Sequence, residues 1–323
     1  MRAYGREVAR IAARHVTCVV VPQQPMAPPR RVVPGATYLI TRRCYQRTFR
    51  LRPCPETTHI LAYCLALAVE KTGVVLHAAC FMSNHHHLVV TDLQGQLPNF
   101  LRELHRFCAK AMNASQGQWE NLWSAEPCSA ILLADEHDVV DKIAYVAVNP
   151  VAAGLVEQPD GWPGLSAWRP GELEVARPGG YFRAGACPET VRLRVHPPAP
   201  TATWSARQWV EHVSTAVANK VRSAHWKMRA EGRRFLGRAA VLARSFVERA
   251  HSCEPKNVRV PTIAAKNPAA RGMLVRLQRA FRMAYRRALD GWKAGDRTVV
   301  FPAGTWWMRV HHAADCAPNT EAG

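Results

Sequence analysis

The chain has 323 residues and a mass of 36.0 kDa, with 48% hydrophobic and 21% charged residues. That composition fits a globular protein with room for a sizeable core and excludes a disordered or fibrous one. Lys and Arg number 43 against 24 Asp and Glu, a formal charge of +19 with a pI near 10.1. Such a surplus points to a polyanionic partner, nucleic acid before an anionic membrane, although an Arg-favouring genome yields the same excess without one. The ten cysteines form no C-x-x-C pair, which argues against a zinc ribbon and, at this length, against a disulfide scaffold. No apolar run approaches the roughly 18–20 residues of a membrane span, and Val19–Val21 is too short a core for a signal peptide. The expectation is a cytoplasmic, soluble protein with reduced thiols and no membrane contact.

Residues 1–32 read as a basic N-terminal arm running into a Pro-rich linker over 22–35. After Gly35 the pattern predicts a strand over Thr37–Thr41 that ends in Arg42 and Arg43. A helix follows over Thr57–Lys71, with Ile60, Leu61, Cys64, Leu65 and Ala68 on one face and Gly73 as its stop. Val74–Phe81 reads as a buried strand, Ser83–Asn84 as a turn and His87–Thr91 as the hairpin partner. Leu97–Met112 has helical spacing, Ser129–Leu133 is a short strand, and Asp135 to Val148 is a helix that Asn149–Pro150 should end. This order predicts an α+β fold, an antiparallel sheet with helices packed on one face.

Residues 159–200 are rich in Pro and Gly and read as irregular, with 171–203 as a linker. Helical patterns at 205–230, 234–250 and 268–293 then suggest a separate, basic, mainly helical domain over 204–323. Residues 201–300 alone hold 21 Arg and Lys against 6 Asp and Glu. Arg276, Arg279 and Arg286 lie in this part and are candidate phosphate contacts.

The chemistry concentrates in Met82-Ser83-Asn84-His85-His86-His87-Leu88-Val89-Val90. On a strand, His85 and His87 share one face while His86 takes the other. Paired imidazoles suit a metal ion, though three adjacent histidines also suit a plain surface turn. On the later helix the apolar stripe is Val139, Ile143 and Val146, whereas Tyr145 falls among Asp141, Lys142 and Asn149. Asn149 is four residues beyond Tyr145, so its amide oxygen can approach the same point. Two imidazoles and an amide oxygen leave coordination positions for a phosphate oxygen and water. Arg42, Arg43 and Arg47, with Tyr45 and Phe49 interleaved, suit an unpaired strand whose bases stack while its phosphates are held; a solvated strand edge has the same composition.

H-x-H on a strand, followed by the helix Y-V-A-V-N-P-V-A-A-G-L-V over 145–156, resembles the HUH single-tyrosine transposases. Among these the REP-associated tyrosine transposases are the most similar subgroup, with the insertion-sequence-200-like enzymes as relatives. The resemblance spans roughly residues 33–168, about 40% of the chain, and makes 33–170 the transposase-like domain. Leu104-His105 with Asn113, Leu122-Trp123 and Trp162-Pro163-Gly164-Leu165-Ser166 are smaller echoes. The sequence departs from the pattern at His86, usually aliphatic, and at Ser83, usually proline.

The resemblance implies an HUH nuclease-like, ferredoxin- or RRM-like sandwich. It further implies single-strand DNA cleavage and rejoining by Tyr145 through a 5′-phosphotyrosine link, with a divalent ion on His85, His87 and Asn149. Relatives vary between amide and carboxylate at the third ligand. Lys142, Asp141 and His86 are candidate supporting residues. Imidazole ligands and cellular abundance favour Mn²⁺ or Mg²⁺ over Zn²⁺, and no organic cofactor is implied. The implied partner is single-stranded or hairpin DNA, bound by a monomer or homodimer that associates with the nucleoid when on DNA. Three other readings remain: a catalytically silent nucleic-acid-binding protein, a replication- or mobilisation-type HUH nickase, and a metal-dependent hydrolase with Asp141 as base. No G-x-x-x-x-G-K-[ST] helicase motif accompanies the nickase reading.

Overall fold

A computed structural model of the chain describes residues 29–250 and 261–319. The basic arm and most of the Pro-rich linker lie outside the described residues. Where that linker becomes visible it is not free chain: Val32 is buried and its N–H donates to Gly304 O at 3.0 Å.

Eight strands and seven α-helices form the described chain. The main sheet contains β1 (Ala36–Arg43), β2 (Val75–Met82), β3 (His85–Asp92), β4 (Ser129–Leu133), β5 (Ser166–Ala167) and β8 (Ile263–Ala264), in the order β5-β2-β3-β1-β4-β8. All neighbours are antiparallel except β4 and β8, which are parallel. The fold is therefore α+β with an almost wholly antiparallel sheet.

Helices cover both faces of this sheet, where the sequence pattern suggested one. Alternation along β1 and β3 sends Tyr38, Ile40, Leu88 and Val90 to one side, against α1 (Pro55–Thr72) and α2 (Leu97–Ser115). Leu39, Val89 and, from β2, Ala78 and Cys80 face the other side, against α3 (Glu136–Ala152) and α4 (Ala206–Ala230). The apolar spacing Trp209, Val213, Val217 and Val221 gives α4 a single buried stripe that seats on α3 and this core. Helix α4 thus completes the sandwich and is not part of a separate domain. An ion pair between Asp141 on α3 and Lys220 on α4, at 2.9 Å, joins the two helices at their polar edge.

Three further expectations are corrected. Helix α3 does not stop at Asn149–Pro150. Pro150 is buried inside it, and the chain turns only at Gly154, whose φ of 74° favours glycine. Proline costs a helix interior one backbone hydrogen bond, and here burial of Pro150 and Val151 against the core offsets that loss.

The supposedly irregular linker at 171–203 contains the hairpin β6 (Gly171–Ala176) and β7 (Thr190–Val195). Its Val175, Val191, Leu193 and Val195 join the α1 core, which explains why α1 is buried on more than the one face that its spacing indicated. The helix expected over 234–250 shrinks to one turn, α5 (Arg238–Leu242), preceded by Gly237 at φ 85°.

The C-terminal helices α6 (Pro268–Lys293) and α7 (Trp307–His312) meet around Phe301, Ala288, Met308 and Ala314. The cysteines among the described residues are free thiols. No helix among them is long and apolar enough to cross a membrane.

Candidate active site

The β2–β3 hairpin turns at Ser83–Asn84 and presents His85 and His87 on the α3 side of the sheet. Their rings lie 4.8 Å apart, nearly perpendicular at 82°. Each ring is tied through Nδ1. His85 Nδ1–H donates to Asn84 Oδ1 at 2.6 Å, and Asn84 is itself anchored by its amide N–H to Arg47 O at 3.2 Å. His87 Nδ1 meets Thr41 Oγ1 at 2.8 Å; Thr41 sits opposite His87 in the β1–β3 register. With Nδ1 carrying the proton, each imidazole keeps a lone pair on Nε2, the form a metal ligand needs. Burial, then the neighbouring His85 and Arg43, holds the His87 imidazole well below the ordinary histidine range, so it stays neutral at pH 7.

Tyr145 reaches the pair from α3. Its helix buries Val139, Ile143 and Val146, which turns Tyr145 to the edge with 37% of its surface exposed. The hydroxyl lies 3.5 Å from His87 Nε2, and the rings meet edge to face at 5.1 Å. His85, His87 and Tyr145 open together onto one cavity of about 480 Å³, which Arg43, Arg47 and Phe49 also line.

The other expected site residues lie elsewhere. Asn149 is half-buried and does not line the cavity. Asp141 and Lys142 are paired with each other at 2.9 Å, and Asp141 also holds Lys220 at 2.9 Å and Lys266 at 3.7 Å. Burial alone would raise the Asp141 carboxyl, but hydrogen bonds from Lys220 and Lys142 outweigh it and hold the group at about 2. A carboxylate so neutralised is a poor base for water, which removes the support for the hydrolase reading.

His86 points to the opposite face. It is fully buried beside Phe81 and Trp123, with Nε2 3.0 Å from His105 Nε2. Arg42 shares that face and donates to Ser124 O at 3.2 Å. Of the early arginines, Arg43 and Arg47 alone meet the cavity, while Arg50 is turned inward onto Asn113 and Gln116. Arg276, Arg279 and Arg286 are exposed on α6 and are not among the cavity residues. Among the described residues, no group of three or more His, Cys, Asp or Glu is arranged to hold a metal ion. The imidazole pair supplies the nitrogen donors, and further positions around an ion would fall to other oxygens.

On sequence alone, Thr41 and Asn84 had places in a strand and a turn but no role at the site. Asn84 adjoins His85 and was legible as a turn residue only; Thr41 gained its role through strand register, which the sequence did not state. The part of the lining between Leu236 and Ala250 showed a helical pattern and basic charge in the sequence but no sign that it reaches the site.

No protein-family model and no curated protein matches the chain. Among solved structures, it is similar to a REP-associated tyrosine transposase bound to a REP hairpin. Identity is 20%, over 44% of this chain and 82% of that one, with a TM-score of 0.37. It is also similar to a protein of Deinococcus radiodurans assigned as a transposase, again at 20% identity, over 33% of this chain and 85% of that one, with a TM-score of 0.25.

Proposed function

We propose that the protein cleaves and rejoins single-stranded DNA through a covalent 5′-phosphotyrosine link at Tyr145, as a transposase of the HUH single-tyrosine kind. The observation that carries this reading is the approach of the Tyr145 hydroxyl to within 3.5 Å of His87 Nε2, beside a second imidazole on the same face of the sheet. A part-exposed phenol beside two imidazoles in an arginine-lined cavity suits attack on a phosphate held there.

His85 and His87 would hold a divalent ion, Mg²⁺ or Mn²⁺, through Nε2; Asn149, one helical turn beyond Tyr145 but outside the cavity lining, would serve as third ligand only if its side chain turned toward the pair. When bound, the ion polarises the scissile phosphate and offsets the charge that develops on it. Asn84 Oδ1, by accepting from His85 Nδ1, would leave that ring's Nε2 free to ligate, and Thr41 Oγ1 would do the same for His87 when it accepts from Nδ1. Tyr145 attacks phosphorus in line: a P–O bond to the phenol forms, the bond to the 3′-oxygen breaks, and the 3′-oxygen leaves as a hydroxyl. The phenol proton passes to solvent, to which the exposed ring has access. Because the phosphodiester energy is kept in the tyrosyl ester, a 3′-hydroxyl can reverse the step without ATP. Arg43 and Arg47 hold phosphates beside the reacting one, and the exposed arginines of α6 add sequence-independent attraction for DNA.

The test is incubation with end-labelled hairpin oligonucleotides carrying single-stranded flanks, with Mg²⁺, with Mn²⁺ and with EDTA. A labelled protein band that survives SDS only in the presence of divalent ion supports the reading. Nicked DNA without any protein-linked label removes it.

A further inference from the structure

The cavity has a second wall, supplied by a segment distant in sequence from the histidines and the tyrosine. Residues 236–250 line the site as one helical turn followed by a second, tighter turn at 245–248. At one end, Leu236 N and Gly237 N donate to Gly154 O and Leu155 O, both at 2.9 Å, which fastens the segment just beyond the helix that carries Tyr145. At the other end, Phe49 N donates to Glu248 O at 2.7 Å, Ala250 N donates to Arg47 O at 3.4 Å, and Thr48 pairs antiparallel with Arg249. Between these ties Arg52 donates to Leu242 O at 3.1 Å. The segment is held at both margins of the cavity, so its side chains are placed before any ligand arrives.

Those side chains set the charge of the site. Arg43 and Arg47 line the cavity from β1 and the turn after it, and Arg244 and Arg249 line it from residues 236–250, whose last residues run alongside 47–49. Glu248 is the one carboxylate among the described lining residues; it accepts from Arg244 at 3.1 Å and from Ser245 N at 2.7 Å. Among the described lining residues there are thus four guanidinium groups, from Arg43, Arg47, Arg244 and Arg249. Phe49, Leu236 and Val241 line the same cavity. Guanidinium groups together with apolar surface fit a single strand, whose phosphates take the fork donors while sugars and bases lie on the apolar part.

We propose that residues 236–250 form the second wall of a strand-binding cleft, in which Arg244 and Arg249 hold backbone phosphates of the DNA strand next to the phosphate at Tyr145. The identity of the ligand rests on the cleavage reading above. Arg244 and Arg249 are positioning residues: they fix the strand and take no part in bond making.

Full-length Tyr145→Phe protein allows binding to be read without cleavage. Its affinity for a fluorescent single-stranded oligonucleotide is measured between 50 mM and 1 M salt, alone and with Arg244 and Arg249 both changed to Ala or both to Lys. Each single-strand phosphate contact contributes about 0.7 to the slope of log K against log salt. The double Ala change should therefore flatten the slope by about 1.4, which amounts to roughly 60-fold in affinity at 50 mM salt when the curves converge at 1 M. The double Lys change should restore most of the slope, because it keeps both charges. An unaltered slope in the Ala protein overturns the proposal, and so does a flattened slope that Lys does not restore, since that would mark collapse of the wall. Adduct formation by the protein that retains Tyr145 is scored separately. Lost slope without any adduct removes the cleavage reading and keeps the wall; adduct with unaltered slope removes the wall alone.

Discussion

Lowering the pH from 7 to 5 should destabilise this protein through histidines that are buried uncharged. His77 and His105 are 2% and 9% exposed. Burial holds the His77 imidazole at about 4, against a smaller upward pull from its hydrogen bond to His196 O. Burial, with the nearby Arg42 charge, holds His105 at about 3. In the unfolded chain both return to about 6.5.

Below that value the unfolded state binds protons that the folded state refuses, so stability falls as pH falls. At pH 5 the difference is about 1.5 pH units per residue, or about 2 kcal/mol each and about 4 kcal/mol for the pair. That is a large part of a typical domain stability of about 5–15 kcal/mol. His86 and His87 are shifted in the same direction. The depressed Asp141 carboxyl, at about 2, loses its contribution only as pH falls below the ordinary carboxylate range, outside this window. Urea unfolding at pH 7, 6 and 5 reads the effect. His105→Gln should reduce the pH-dependent part by about 2 kcal/mol, whatever it does to absolute stability. Equal unfolding free energies at pH 7 and pH 5 would refute the reasoning.

The remaining predictions concern the site. His85→Ala and His87→Ala should each abolish divalent-ion-dependent adduct formation, whereas His86→Ala should cost about 2–4 kcal/mol in urea unfolding and leave adduct yield per folded molecule within a few-fold, because it packs against Phe81, Trp123 and His105 on the other face. Thr41→Val should weaken Mn²⁺ binding about 10–100-fold by titration calorimetry, by releasing the His87 ring; unchanged affinity would show that the ring needs no such tie. Asp141→Asn should loosen the α3–α4 junction by about 1 kcal/mol and spare cleavage. Lost cleavage in a well-folded Asp141→Asn protein would restore a base role for that carboxylate.

Local pattern was a good guide wherever one residue type decided the matter. Gly73 at φ 67° ends α1 where its position suggested, and strict alternation put His85 and His87 on one side of β3 and His86 on the other. The same alternation divides Arg43 from Arg42, yet the sequence reading grouped them, because a run of like charges hides which face each one takes. Pro150 misled for a related reason. The rule that proline ends a helix is local, while burial of Pro150 and Val151 is tertiary. The hairpin at 171–195 was obscured by the Pro- and Gly-rich chain around it, and its partner surface on α1 is more than a hundred residues earlier in the sequence. Residues 236–250 carry helical spacing, but Gly237 and the backbone ties to Gly154, Leu155, Arg47 and Phe49 impose another path. No spacing rule reports a contact of that range.

The central claim is that one phenol forms the bond to DNA. The most direct measurement is mass spectrometry of the protein after incubation with a hairpin oligonucleotide and Mg²⁺, followed by nuclease and protease digestion. A nucleotide retained on the peptide containing Tyr145, and absent from the Tyr145→Phe protein, is the predicted result. A nucleotide on any other residue, or the same yield of adduct from the Phe protein, would contradict it.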